Sequence, residues 1–198
     1  MEEPFIECKV VIIGYVSVGK TSLMSRIIND YVDNGIKPTI GASYMSKTFS
    51  TEKGKVKMQI WDTSGQDRSL TVIPMYVRDS SIVLFVYSVD SNMSIQNIEK
   101  WYDDLQRTAP NANLILVGNK IDLENREITK EQGQHLANKF HAQFFEISAL
   151  QNTGVTELFN AMTDIATNQY DQQTTATRRR SATVITRPPE TPKKRSFC

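Results

Sequence analysis

Cysteine is nearly absent: Cys8 and Cys198 lie at opposite ends of 198 residues, with no Cys-x-x-Cys pair and no cluster with the only two histidines, His135 and His141. That spacing argues against a disulfide scaffold and a structural zinc site, and both histidines read as ordinary surface or packing residues. Long apolar runs are also lacking. No stretch approaches 18 residues, and the first seven carry Glu2 and Glu3 but no basic segment leading into an apolar core. Neither a transmembrane helix nor a signal peptide is expected, so the chain is most simply cytosolic. Charge of one sign is scarce too, but unevenly so. From Asp171 onward there are seven basic residues (Arg178, Arg179, Arg180, Arg187, Lys193, Lys194, Arg195) against Asp171 and Glu190, so a whole-chain net charge of +1 leaves the preceding body at −4. A mildly acidic body argues against a nucleic-acid-binding domain, which would normally carry a basic face, and no nucleic-acid partner is expected. A short basic tail suits an anionic membrane surface.

What is present is ordinary globular composition, 39% hydrophobic and 23% charged, at a length that suits one domain. Cys8 to Ile13 is a β-branched run ended by Gly14, followed by helical spacing of Leu23, Ile27 and Ile28 between Ser22 and Asp30. The stretch Lys55 to Trp61 alternates, with Val56, Met58 and Ile60 on one face. With Met45 to Thr51 and the turn residues Lys53 and Gly54 it predicts a hairpin with one wet face. Ile82 to Tyr87 and Leu114 to Val117 are nearly all apolar, as parallel strands covered on both faces should be. Between them Ile95, Ile98, Trp101, Tyr102 and Leu105 form a helical stripe. Thr129 with Gln132 predicts a capping box for a helix through Phe140, Phe144 to Ile147 a last strand, and Val155, Leu158, Phe159, Met162 and Ile165 a final helix. About six strands and five helices in alternation imply an α/β sheet sandwiched by helices. After about Asn168 the apolar period stops, and residues 169–198 are expected to be a disordered basic tail behind a domain spanning 1–168. Asn92-Met93-Ser94 fits a glycosylation pattern, but in a cytosolic chain it is expected to cap the helix that follows.

Three motifs carry chemistry. Gly14-Tyr15-Val16-Ser17-Val18-Gly19-Lys20-Thr21 fits G-x-x-x-x-G-K-[ST] between a predicted strand and a predicted helix. Backbone N–H groups of such a loop cradle phosphates, the helix N-terminus adds partial positive charge, Lys20 reaches the β- and γ-phosphates, and the Thr21 hydroxyl ligates Mg²⁺. Ser22 opens the helix and completes this binding segment. Asp62-Thr63-Ser64-Gly65-Gln66 follows the wet-faced strand. There Asp62 can approach the metal, the Gly65 N–H the γ-phosphate, and Gln66 can orient an attacking water. Asn119-Lys120-Ile121-Asp122 stands just past a buried strand, at the carboxyl edge where open α/β sheets bind ligands. Asp122 can accept from the N1 and N2 donors of guanine, a pair that adenine lacks, and thereby select GTP over ATP. Ser148-Ala149 would complete the base pocket with a backbone N–H to the guanine oxygen.

On these motifs the chain resembles Rab-family small GTPases over its whole body, Glu7 to about Thr167, and leans toward their endocytic branch through Thr39-Ile40-Gly41-Ala42 and Pro74-Met75-Tyr76-Val77-Arg78. The resemblance implies a P-loop NTPase fold, with a six-stranded, mostly parallel sheet containing one antiparallel strand and five flanking helices. It implies a GTP/GDP switch that regulates vesicle traffic on the cytosolic face of endomembranes, with an endosomal site implied by the branch. Pro38-Thr39-Ile40-Gly41 resembles switch I, Thr39 closing over Mg²⁺ and the γ-phosphate; Trp61 to Arg68 resembles switch II. Implied partners are an exchange factor, an activating protein, effectors, a prenylation escort and a GDP-dissociation inhibitor, around a monomeric chain.

The sequence also departs from the family. Val16 and Ser17 stand where relatives usually carry Gly, Ser or Ala, and the branched Val16 should project toward the γ-phosphate and Gln66, slowing hydrolysis. Ser64, Asp67 and Leu150 replace the usual Ala, Glu and Lys, Leu150 remaining in the expected base-binding set. The aromatic that normally covers the guanine edge falls on Val32, with Tyr31 one place earlier. Cys198 ends the chain without a C-a-a-X signal, but the resemblance implies geranylgeranylation there, and one lipid with a polybasic patch makes a two-signal anchor. Two rivals stand beside the switch. One is a protein that binds GTP, scarcely hydrolyses it and serves as a constitutive effector platform. The other is a P-loop kinase, which leaves Asn119 to Asp122 unexplained and has no recognisable acceptor site.

Overall fold

In the computed structural model of the chain, residues 4–32, 35, 37–65 and 73–185 are described, with the side chains of 73 and 177–185 excepted. The opening apolar run is strand β1 (Phe5–Gly14), followed by helix α1 (Lys20–Asn29). The hairpin forms as β2 (Ala42–Thr51) and β3 (Gly54–Thr63), longer at its open end than the alternation predicts. The strand therefore carries Asp62 and Thr63 into the sheet. Helix α2 (Ile73–Val77) is one short turn without an apolar period. Then come β4 (Ile82–Ser88), α3 (Asn92–Thr108), β5 (Asn113–Asn119), α4 (Lys130–Lys139), β6 (Gln143–Ile147) and α5 (Val155–Ile185).

The strands form one six-stranded sheet in the order β2-β3-β1-β4-β5-β6, parallel except where β2 pairs with β3, and five helices accompany it among the described residues. Every residue of β4 is buried, and β5 is buried from Leu114 on, because helices cover both faces there. One apolar cluster joins Val11, Phe85 and Leu116 of the sheet to Ile98 and Leu105 of α3 and Leu136 of α4. Each such fully buried aliphatic side chain contributes about 1.5–3 kcal/mol. What matters for function is direction. The five mutually parallel strands end, at their carboxyl edge, at Gly14, Thr63, Ser88, Asn119 and Ile147, which brings three motifs far apart in sequence to one side of the sheet.

Helix starts follow the sequence unevenly. At α4 the capping box forms in both directions: the Thr129 side chain accepts from Gln132 N–H, and the Gln132 side chain accepts from Thr129 N–H at 2.8 Å. The Asn92-Met93-Ser94 cap does not form. Ser91 is the residue ahead of α3, Asn92 is already helical, its N–H donates to Glu127 Oε2 at 2.9 Å, and the Ser94 hydroxyl bonds with Ser88 and Ser91.

The chain divides into two compact units, Met1–Thr167 and Asn168–Cys198. In the second, α5 continues to Ile185, so residues 169–185, expected to be disordered, have helical backbone. No Gly or Pro occurs between Gly154 and Pro188, so nothing in that stretch forces a stop even though its apolar period has ended. Among the described residues no helix is long and apolar enough to cross a membrane.

Candidate functional site

The loop between β1 and α1 closes on two unusual backbone conformations. Gly19 precedes α1 at φ +91°, and a Cβ there would lie 2.3 Å from Asn119 Nδ2, so only glycine fits. Ser17 holds φ +64°, a left-handed conformation that favours glycine. Inside the loop Lys20 is buried, and its Nζ donates to the carbonyls of Gly14 and Tyr15, both at 2.8 Å. Burial pulls its pKa down to about 8, with Asp62 opposing the shift. Val18 is buried beneath the loop.

Three hard oxygens meet beside the loop. Thr21 Oγ1 donates to Asp62 Oδ2 at 2.5 Å; Thr39 Oγ1 lies 3.0 Å from Thr21 Oγ1 and donates to the same carboxylate oxygen at 3.1 Å. Desolvation raises the pKa of the buried Asp62, opposed by the Thr21 hydrogen bond, Lys20 and Thr39, while its Oδ1 is buried with no partner. Two hydroxyls and a carboxylate with a spare oxygen suit a small, hard cation such as Mg²⁺, and Thr21, Thr39 and Asp62 are the residues that fit it. On the other wall Gly65 abuts the loop so closely that a Cβ would lie 2.4 Å from the Val16 nitrogen. The cavity here has a volume of about 330 Å³ and is lined by Val16, Ser17, Gly19, Lys20, Thr21, Ser22, Lys37, Pro38, Thr39, Thr63, Ser64, Gly65 and Lys120.

The second half of the site is held by Asn119. The residue is 2% exposed; Nδ2 donates to Val18 O at 2.8 Å and Oδ1 accepts from Ala149 N–H at 3.1 Å, tying the phosphate loop to the turn after β6. Asn119 thus positions two loops. Lys120 turns the chain at φ +67°, its ammonium 3.9 Å from Asp90 Oδ2. Asp122 carries a buried Oδ1 without a partner, which is the state in which a base-reading carboxylate should wait. Ser148 N–H donates to Thr153 O at 3.0 Å, and Leu150 is 60% exposed.

The structure therefore brings Val16, Ser17, Gly19, Lys20, Thr21, Ser22, Thr39, Gly65 and Lys120 to one cavity wall, with Asp62 in contact with it through Thr21 and Thr39. Asn119, Asp122, Ser148, Ala149 and Leu150 do not line that cavity. Tyr31 is exposed, its carbonyl accepting from Ser25 Oγ, and neither it nor Val32 lines the cavity. Gln66, Asp67, Arg68 and Cys198 lie outside the described residues, as do the side chains of the basic tail. Pro38 figures in the sequence only as the first residue of the switch I segment, and the motifs do not point to Lys37 beside it or to Arg26, which donates to the carbonyls of Ala149 and Leu150. No spacing rule announces a contact made across 123 residues.

A strand, a glycine-bounded loop and a helix that together hold a buried lysine beside a hard-oxygen cluster define a P-loop nucleotide-binding domain. The family model described as the Ras family matches residues 9–168. Over 165 residues the chain is 38% identical to the Ras-related protein Rab-18 of Lymnaea stagnalis, covering 82% of each chain. The chain belongs to the Rab group of the Ras family of small GTPases. It is a GTPase, a guanine-nucleotide switch of membrane traffic.

Proposed function

We propose that this GTPase holds GTP or GDP with Mg²⁺ across the described site and acts as a slowly hydrolysing Rab switch on the cytosolic face of endomembranes. The observation that carries the reading is the pair of buried, unpartnered carboxylate oxygens: Asp62 Oδ1, on the carboxylate whose Oδ2 accepts from Thr21 and Thr39, and Asp122 Oδ1 beyond β5. One suits the metal, the other the base.

In this reading Lys20 exchanges its two carbonyl partners for phosphate oxygens, and the N-terminus of α1 adds its partial positive charge. Bound Mg²⁺ would supply Lewis-acid stabilisation of charge on the β- and γ-phosphate oxygens. Thr39 and Gly65 sense the γ-phosphate and order their segments, and loss of that phosphate releases them. Gln66 holds water in line with the γ-phosphate. Val16 crowds that water and the space an activating protein's Arg must enter, because it shares the cavity wall with Gly65. GTP binding, which rests on backbone N–H groups, is spared while hydrolysis is slow. Single-turnover hydrolysis of bound GTP tests this: Val16→Gly should be the faster protein, with and without an activator, and equal rates would refute the steric role. Rates indistinguishable from nucleotide alone in the wild type would instead favour the effector-platform reading, which Val16 also supports.

The ordered switches are read by effectors, the nucleotide is exchanged by an exchange factor, and the GDP form is carried by a dissociation inhibitor, as in the Rab group. Lipidation of Cys198 through the escort protein, with the basic tail, gives the membrane anchor. Mass spectrometry of membrane-extracted protein should find the lipid there, and an unmodified thiol would remove that half of the proposal. The endosomal compartment follows from the likeness of Thr39-Ile40-Gly41-Ala42 to the endocytic branch, and imaging beside compartment markers decides it.

A further inference from the structure

Arg26 lies on α1 six residues past Lys20, and among the described residues its guanidinium binds carbonyls alone. Nε donates to Ala149 O at 2.9 Å, Nη2 to Leu150 O at 2.8 Å and Nη1 to Asp30 O at 2.6 Å. A planar fork gripping two successive carbonyls fixes their directions, which an ammonium on a flexible stem does not do. The peptide between Ala149 and Leu150 is trans, so the Ala149 carbonyl and the Leu150 N–H point in opposite directions. Arg26 therefore sets where the Leu150 N–H aims, and by drawing electron density toward the carbonyl it strengthens that N–H as a donor.

The neighbouring donors are occupied. Ser148 N–H donates to Thr153 O at 3.0 Å, Ala149 N–H to Asn119 Oδ1 at 3.1 Å and Gln151 N–H to Ser148 Oγ at 2.9 Å. The Leu150 N–H has no partner among the described residues and is directed away from Arg26. We propose that Arg26 is a positioning residue for base recognition, which holds the Leu150 N–H as a donor to the 6-oxo group of guanine. The proposal rests on the reading of this turn as part of the base pocket. It also makes α1 the common support of both ends of the nucleotide, since the same helix carries Lys20 and Thr21.

The test uses the full chain stripped of nucleotide and titrated, with Mg²⁺ present, with GDP, 6-thio-GDP and IDP. The sulfur analogue keeps N1–H and the 2-amino group but offers a poor acceptor at position 6; IDP keeps the oxygen and lacks the 2-amino group. Arg26→Gln should lower GDP and IDP affinity about tenfold, the scale of one net hydrogen bond. It should leave 6-thio-GDP nearly unchanged, so that the GDP to 6-thio-GDP ratio collapses. The GDP to IDP ratio, set by Asp122, should stay as in the wild type. Arg26→Lys, which retains charge but not the fork, should fall between, and it carries the same comparison if Arg26→Gln does not fold. Equal losses for all three nucleotides would show a merely structural role and overturn the proposal, as would no loss for GDP. Failure of the base-pocket reading looks different: the wild type itself would not distinguish GDP from IDP or 6-thio-GDP.

Discussion

The two ends of the nucleotide site are built on different terms. At the phosphate end the functional groups bond the loop and one another: Lys20 donates to loop carbonyls, and Thr21 and Thr39 donate to one oxygen of Asp62, whose other oxygen has no partner. These contacts are exchangeable, and a ligand that offers better oxygens can replace them without disturbing the sheet. At the base end the support is fixed. Asn119 is nearly inaccessible and joins Val18 to Ala149, while Arg26 grips the carbonyls of Ala149 and Leu150, leaving the buried Asp122 Oδ1 without a partner. A switch needs one end that changes with the γ-phosphate and one that holds the nucleotide throughout.

The largest effect expected from this contrast is at the rigid end. Asp122→Asn should lower GTP affinity by ~10³-fold or more, because a site built around guanine donors is left mismatched. It should gain affinity for xanthosine nucleotides, whose 2-oxo group accepts from the amide. Competition titration of GTP against XTP reads both, and an unchanged preference would deny Asp122 its role. At the exchangeable end Thr21→Asn should cost GTP about 100-fold in the presence of Mg²⁺ and GDP distinctly less, since Thr21 would help hold the metal and GTP brings more phosphate charge for it to neutralise. Equal losses would argue against the cluster as a metal site.

Much of this was legible in the sequence because it depends on local pattern. Gly14 to Thr21, Asn119 to Asp122, the alternating β3 and the Thr129 capping box announce themselves through spacing that their own backbone geometry requires. What escaped depends on tertiary proximity or on negative information. Arg26 looks like one more polar helix residue until the turn after β6 is brought against α1. Lys37 lines the cavity two residues before Thr39, which bonds Asp62 across 23 residues of sequence. The length of α5 is not legible in its apolar period, which ends near Asn168 while the helical backbone runs on to Ile185 with no breaker to stop it. The failed cap at Asn92 shows a short polar triplet yielding to contacts from elsewhere, here Glu127.

Smaller effects should sharpen the comparison within the phosphate loop. Val16→Gly should raise single-turnover hydrolysis by about tenfold, with GTP affinity nearly unchanged, because only the transition state needs the freed space. A loss of affinity with no gain in rate would place Val16 in binding instead. The smallest change is in stability. Ser17 sits at φ +64°, where an L side chain is strained, so Ser17→Gly should stabilise the folded domain by ~0.5 kcal/mol, after the added chain entropy of glycine is subtracted. Thermal unfolding of the GDP-bound protein checks the sign, and a lower midpoint would mean the loop relies on the serine side chain.

Amide hydrogen exchange of the full chain, loaded first with GDP and then with a non-hydrolysable GTP analogue, tests the division of labour most directly. The γ-phosphate should slow exchange around Thr39 to Gly41 and Asp62 to Gly65, and leave Asn119 to Asp122 and Ser148 to Leu150 unchanged. Equal exchange in the two states at the first pair of segments, or a change confined to the second pair, would contradict the account.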